Sequence, residues 1–515
     1  MESPTRQRPN PEKAPLVQHT APVNRLPPEL LSRILTYMVN WNRFGLLQGY
    51  ESWSQALHFC PVCRYWRDMA LSTPRLWSII TLSIDFNRRY PPIILERLLA
   101  HVKRSQSTPI SFKFTINGPH ADPESLDPYL NALFDEAHRW RSFEFEAPWG
   151  FNSVLMKILE STEGKLVALE SLTIDVKSLE KNMFNFLQHT TPAFHSLTLI
   201  SEDSDFLTYD NLASLSIPFT QITNLHLDNI TTAVLAFIEV CPNLVSAHFV
   251  IPALACRRPK KKAVPYHLSS LTQLTIEVSE SSQKSSDYAF ADVTIIIHSL
   301  KAPALKSFAL TTDAKRFDAR YDIIASKRND EFAATLEGFL ARSPDLTYLR
   351  VDCVPLKDQD LLRVMPVVPH VTELVLREVG KARKANTSDR SNNIITKTFL
   401  DALTVKRKSS PLLPQLRHIH FTSRDFALIQ KSFQKFVDSR LGTSSHPCST
   451  LQSAYIKFTH DGYRAFDWSH LRERQRAGLA IRIFFQWAID DDDPYDSNDE
   501  DYDKDEKVFL GYDTE

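Results

Sequence analysis

One spacing recurs along this chain: an apolar residue followed three and five positions later by two more. It reads Trp140-Phe143-Phe145, Leu169-Leu172-Ile174, Phe194-Leu197-Leu199, Ile222-Leu225-Leu227, Leu244-Ala247-Phe249 and Leu271-Leu274-Ile276. It continues as Leu305-Phe308-Leu310, Leu346-Leu349-Val351, Val371-Leu374-Leu376, Leu416-Ile419-Phe421 and Leu451-Ala454-Ile456. The last two residues of each triplet are two apart, so they lie on one face of a strand. The unit returns at irregular intervals in the range of solenoid repeats. The segments between read as helices. Ala233 to Val240 is a compact apolar stretch closed by Cys241-Pro242. Glu331 to Ala341 puts Phe332, Leu336, Phe339 and Leu340 on one helical face before Ser343-Pro344. Similar stretches occupy 93–104, 126–138, 152–160 and 426–438. Strands alternating with helices imply parallel strands joined by crossovers. Many such units without a glycine-rich ligand loop predict an α/β solenoid.

On these triplets the chain resembles the leucine-rich-repeat family, whose unit is LxxLxLxxN. The resemblance covers roughly residues 140 to 460 and extends loosely back to Ile110-Phe112-Phe114. Almost no unit carries the closing Asn, whose side chain in the family satisfies turn backbone. The resemblance therefore implies an irregular horseshoe; a generic α/β domain is the other architecture open to the pattern.

Residues 22 to 77 follow a different rule. Leu26-Pro27-Pro28-Glu29 opens a helix, because proline is tolerated where the first N–H groups have no helical partner. Glu29 suits the positive end of that helix. Leu30, Leu31, Ile34, Leu35 and Met38 then recur at helical spacing as one apolar face. A second helix after Pro61 places Val62, Tyr65, Trp66 and Met69 opposite Arg64, Arg67 and Asp68. Ser72-Thr73-Pro74 breaks it, and Leu76-Trp77 leads into a strand over Ile79 to Ile84.

These blocks resemble the F-box. Its pattern is matched in order by Leu26, Pro27, Glu29, Leu30, Leu31, Ile34 and Leu35, then by Val62, Cys63, Arg64, Trp66, Arg67, Leu76 and Trp77. The connection from Asn40 to Phe59 is longer than in the compact motif. The resemblance implies a small all-helical module docking on a Skp-family adaptor and, through it, a cullin–RING ubiquitin ligase. The residues it assigns to the adaptor are Leu26, Pro27, Leu30, Leu31, Ile34 and Leu35. The same residues would also serve a helical hairpin that only packs on the first repeat.

The chain thus divides into an arm at 1–21, a helical module at 22–77, a solenoid at 78–489 and an acidic tail at 490–515. The arm carries prolines at 4, 9, 11 and 15, and the stretch Asp490 to Glu506 has eleven acidic residues in seventeen; both read as disordered.

Composition narrows the function. Glycine numbers only 11 in 515 residues, and GxGxxG, GxxxxGK[ST] and GxSxG are all absent. Phosphate cradles and nucleophile elbows need glycine for sharp backbone bends, so those enzyme classes are not indicated. No histidine precedes a glutamate, which removes HExxH. Lys plus Arg is 60 against 61 for Asp plus Glu, which argues against a nucleic-acid binder. No apolar run reaches the about 18 residues of a membrane span. Six cysteines do not form a disulfide scaffold. Soluble, cytoplasmic or nuclear residence is the expectation, and the basic run Arg257-Arg258-Pro259-Lys260-Lys261-Lys262 would suit nuclear import as well as it suits a surface loop.

Sharper chemical readings give way to blander ones. Cys60-Pro61-Val62-Cys63 near His58 lacks a second ligand pair for zinc, and Cys63 reads as a small buried apolar residue. Glu144 and Glu146 neighbour each other along one strand, whereas glycoside hydrolysis needs carboxylates across a cleft. His418 and His420 form an HxH pair with no obvious carboxylate opposite. Strand alternation instead places Glu144, Asn224, His226, His248, Tyr348, Arg350, Glu373, His418, His420 and Tyr455 on the open face. Tyr and Arg are common interface hot spots, so Tyr348, Arg350, Glu373, His418, His420 and Tyr455 are the expected target-binding residues. No cofactor, metal or catalytic residue is expected. The reading is a non-catalytic adaptor that selects a protein for ubiquitination, or alternatively an F-box-bearing scaffold acting outside a ligase.

Overall fold

The computed structural model describes residues 22–41, 55–85, 93–117, 126–147, 152–176, 187, 191–200, 217–228, 234–252, 265–279, 289–312, 326–354, 356–378, 394–406, 410–423, 426–441, 448–458, 469–485 and 507–508. The arm at 1–21, the basic run at 257–262 and most of the F-box connection and of the acidic stretch lie outside them. Two compact units emerge, Met1–Ser142 and Phe143–Glu515.

The first unit opens with helices α1 (Pro28–Trp41), α2 (Gln55–Phe59) and α3 (Arg64–Ser72). A 3-10 turn at Pro22–Arg25 precedes α1, and the Pro27 carbonyl accepts the N–H groups of Leu30 and Leu31. The Cys63 sulfur accepts the Trp66 N–H at the start of α3, so this residue is a half-exposed helix cap rather than the buried apolar residue expected. Leu31, Leu35, Val39, Ala56, Phe59, Ala70, Leu76 and Trp77 form one core, with Tyr65, Trp66 and Met69 packed against it. Val62, expected on the same face, precedes the helix and is exposed. Two bonds tie the module together: Tyr65 Oη to the Leu26 carbonyl at 3.0 Å, and Trp77 Nε1 to the Ala70 carbonyl at 2.8 Å. The same unit continues into β1 (Ile79–Asp85), α4 (Ile93–Ser105), β2 (Ile110–Asn117) and α5 (Asp127–Phe134), β1 and β2 pairing in parallel. The division at Ser142 therefore groups two strands with the helices.

Strand β3 (Trp140–Ala147) spans the division, and α6 (Asn152–Thr162) follows it. The second unit is mixed α/β with a long parallel sheet, as a leucine-rich-repeat-like solenoid requires. Its strands are β4 (Ser171–Val176), β5 (Ser196–Ile200), β6 (Asn224–Asp228), β7 (Ser246–Pro252), β9 (Gln273–Ser279), β11 (Ser307–Thr312), β12 (Tyr348–Asp352), β13 (Glu373–Arg377), β14 (His418–Ser423), β15 (Ser453–Phe458) and β16 (Ala480–Phe485). They pair in that order, all parallel, while β8 (Tyr266–His267) and β10 (Leu300–Lys301) form a separate ribbon. β17 (Lys507–Val508) closes the order antiparallel to β16, so at these two residues the stretch read as a disordered tail is strand. The connections include α7 (Val234–Val240), α8 (Ala289–His298), α9 (Ser326–Leu340), α10 (Asp358–Val364), α11 (Lys397–Leu403), α12 (Phe426–Ser439) and α13 (Ser469–Arg476). No described helix is long and apolar enough to cross a membrane.

The register explains the sequence triplets. Leu274, Phe308, Leu349, Leu374 and Ile419 stand side by side as one core row, and Ile276, Leu310, Val351, Leu376 and Phe421 as the next. All ten are buried. Each full burial of such a side chain contributes roughly 1.5–3 kcal/mol, so the rows fix which face points inward.

Backbone hydrogen bonds at the strand entrances join adjacent repeats. In the middle repeats the carbonyl just before a strand accepts two N–H groups from the next repeat: Val245 serves Thr272 and Gln273, Thr272 serves Lys306 and Ser307, Lys306 serves Thr347 and Tyr348, at 2.9 to 3.1 Å. Thr272, Thr347 and Thr372 each add a hydroxyl to the same carbonyl of the preceding repeat, all at 3.1 Å. Elsewhere a side chain reaches further. Arg440, only 2% exposed, donates to the carbonyls of Leu403, Leu412 and Leu413. Leu413 holds φ at 48°, a left-handed conformation costly for a branched residue, and the Arg440 bond secures it. Burial depresses the Arg440 pKa to about 10, still far above neutrality.

Candidate functional site

Helix α1 carries two apolar sides, not one. Leu31 and Leu35 are fully buried under α3 and Trp77, whereas Leu30 and Ile34 are 49% and 42% exposed. Tyr37 and Met38 extend the exposed side. Of the six residues expected to meet an adaptor, Pro27, Leu30 and Ile34 are exposed and Leu26 is half-buried. Leu31 and Leu35 are corrected: they hold the module together and cannot reach a partner without opening it. The positions one residue apart look alike in sequence, and only the packing of α3 and Trp77 against α1 separates them.

In the second unit the open face is polar. Its residues align in rows: Gln273, Ser307, Tyr348, Glu373, His418 and Ser453 in one, then Thr275, Ala309, Arg350, Val375, His420 and Tyr455, then Glu277, Thr311, Asp352, Arg377, Thr422 and Lys457. The central strand β11 contributes only Ser307, Ala309 and Thr311, so the face sinks between larger neighbours. A hollow of about 470 Å³ results, with His248 and Glu277 on one side and Tyr348, Arg350, Asp352 and Arg377 on the other.

Charge around the hollow is largely sorted into pairs. His248 Nε2 lies 3.5 Å from Glu277 Oε2, and contact with that imidazole holds the Glu277 carboxyl below its usual range against the opposing effect of burial. The His226 and His248 rings stack at 4.3 Å between centroids. Burial, then the charge of His248, pushes His226 down to about 4. On the other side Arg350 grips one oxygen of Asp352, Nε at 2.7 Å with Nη2 also in contact. Burial opposes the Arg350 charge, but Asp352 outweighs it and the pKa is raised. Burial also raises Tyr348. His420 lies against Tyr455, ring centroids 3.7 Å apart, and is lowered to about 4 by burial and then by Arg350, Lys457 and Arg377. His418 Nδ1 meets Ser453 Oγ at 2.8 Å.

The expected target-binding residues all stand on this face, but they do not form one site. Tyr348 and Arg350 line the hollow, whereas Glu373 stands at the far end of β13 from the lining residue Arg377, and His418, His420 and Tyr455 lie on strands beyond it. The sequence reading missed Glu277, Asp352 and Arg377. Each sits six positions after the first apolar residue of its triplet, one alternation further than the positions considered. The small residues of β11 were the other overlooked signal. Among the described residues no group of three His, Cys, Asp or Glu side chains is placed to hold a metal ion.

Comparison with known protein families finds no match, and no curated protein matches the sequence. Among solved structures, the chain is similar to the crystal structure of the leucine-rich repeat-containing protein LegL7 from Legionella pneumophila, with 14% identity and a TM-score of 0.34. That match covers 73% of this chain and 91% of the other.

Proposed function

We propose that the chain is a non-catalytic interaction protein with two working surfaces, the exposed side of α1 and the open face of the parallel sheet. The first docks on a Skp-family adaptor of a cullin–RING ligase, and the second holds a target protein. Joining the two raises the local concentration of target beside the ligase, and the partners carry out ubiquitin transfer.

The observation that carries the reading is the division of α1. A short helix that uses Leu31, Leu35 and Val39 for its own core still presents Pro27, Leu30, Ile34 and Met38 outward. Contiguous exposed apolar surface of this kind marks interaction sites. Its position within the F-box-like blocks supports the adaptor as the occupant.

The test is co-purification of the chain with a Skp-family adaptor, comparing wild type with Leu30→Asp/Ile34→Asp. Both substitutions fall on exposed positions, so the module keeps its core while the docking side gains charges that are costly to desolvate. The expected result is a stoichiometric wild-type complex and its loss in the variant, with an unchanged melting curve. A folded wild type that fails to bind overturns the ligase reading. Binding that never recruits a cullin reduces it to a scaffold.

A further inference from the structure

The hollow on the open sheet face does not present its charges evenly. Glu277 is engaged by His248 on one side, and Asp352 is engaged by Arg350 on the other. Arg377, two residues along β13 from Val375 and level with Asp352, makes no side-chain hydrogen bond or ion pair among the described residues. It is a guanidinium facing a hollow whose floor is hydroxyl-bearing Ser307 and Thr311 with the small Ala309. The other charged groups in range are Glu373, in the Tyr348 row, and Lys457, in the Arg377 row. His420 lies beside these cations and stays neutral.

We propose that this hollow receives an acidic segment of a partner protein, with a carboxylate held by Arg377 and the floor hydroxyls. An Arg–carboxylate contact with two parallel N–H bonds is the strong, geometrically specific form of this interaction. The strand-row geometry suits an extended segment, because the side chains that flank the hollow come from successive strands on both sides of β11. The Glu277 wall opposite repels a second carboxylate and so sets where along the segment the acid must fall. The inference rests on the reading of the open face as the target surface, and it names that target's chemistry.

The test is fluorescence anisotropy with labelled peptides of one length and one backbone sequence, carrying Glu, Gln, Lys or phosphoserine at the variable positions. The full chain is titrated at low and at physiological salt. The Glu peptide is expected to bind, with the Gln and Lys peptides weaker and the affinity falling as salt rises. Arg377→Glu is expected to weaken Glu-peptide binding by roughly tenfold or more, the scale of a charged hydrogen-bond pair. Ala309→Trp, which fills the hollow from its floor without touching the core rows, is expected to weaken it similarly. Equal binding of the Gln or Lys peptide, or an Arg377→Glu variant that binds as wild type, overturns the proposal. Binding of the phosphoserine peptide alone overturns the carboxylate assignment. Adaptor co-purification is read separately on α1, so a failed peptide titration with a formed adaptor complex rejects this inference and leaves the ligase docking intact.

Discussion

Helix α1 and strand β11 each expose one side, but they reach that state by different routes. On α1, adjacent residues of the same chemical type are divided between core and surface: Leu31 and Leu35 inward, Leu30 and Ile34 outward. On the sheet, alternation does the dividing, and the outward residues are polar because the inward ones have taken the apolar positions. The exposed side of α1 therefore looks like core that has not been covered, whereas the open sheet face looks like solvent-facing surface with a hollow in it. Such a difference predicts different partners, apolar burial on the helix and directed charge on the sheet.

The comparison breaks most sharply at Leu35 and Ile34, neighbours in sequence with opposite expected effects. Leu35→Ala removes a fully buried side chain and should cost about 2–5 kcal/mol. Ile34→Ala changes an exposed position and should cost less than about 1 kcal/mol while weakening adaptor binding. Urea unfolding of the two variants, with adaptor binding measured in parallel, checks both. Equal stability costs would mean that α1 has no inward and outward side.

How far the chain itself displays these features depends on which force sets them. The core rows were legible because burial selects residue type, and the three-then-two spacing is periodic in strand geometry. The helices at 93–105, 152–162 and 426–439 were legible for the same reason. Strand β16 was not, since its triplet begins at Gly478 rather than at an apolar residue. Trp77-Ile80-Leu82 carries the repeat spacing too, yet Leu76-Trp77 also reads as the close of the helical block. The hollow was least legible: it is made by what β11 lacks, and small residues on an exposed row leave no periodic mark. Leu31 and Leu35 were misassigned because apolar periodicity reports a stripe without saying what covers it.

Acid offers a second way to sharpen the comparison, because the strongly lowered histidines lie on the sheet and none on α1. His226 and His420 titrate near 4 in the folded protein against about 6.5 in an unfolded chain. Between pH 6.5 and 4 the unfolded state binds protons that the folded state refuses, so stability falls as pH drops through that window. Glu277, lowered by His248, adds loss in the same direction only once the pH falls below its ordinary value of 4.5. The melting temperature should therefore decline from pH 7 to pH 4.5, and His226→Asn/His420→Asn should flatten the decline. An unchanged slope in that double variant would assign the acid sensitivity to other groups.

The smallest effect concerns the threonines that directly follow the first apolar residue of a triplet, Thr272, Thr347 and Thr372. Thr372 donates its hydroxyl to the Thr347 carbonyl at 3.1 Å, but that carbonyl already accepts the N–H groups of Thr372 and Glu373. Thr372→Val keeps the shape and removes only the third donor, so no buried carbonyl is orphaned. The expected cost is about 0.5–1 kcal/mol, a single net hydrogen bond. A loss near 3 kcal/mol would instead show that the hydroxyl, and not the pair of N–H groups, is what holds adjacent repeats in register. That outcome would make the threonine hydroxyls the principal lock between adjacent repeats. The small loss would make the backbone ladder the principal device, with side chains free to vary from repeat to repeat, as the sequence at positions 195, 245, 306 and 417 already does with His, Val, Lys and Arg.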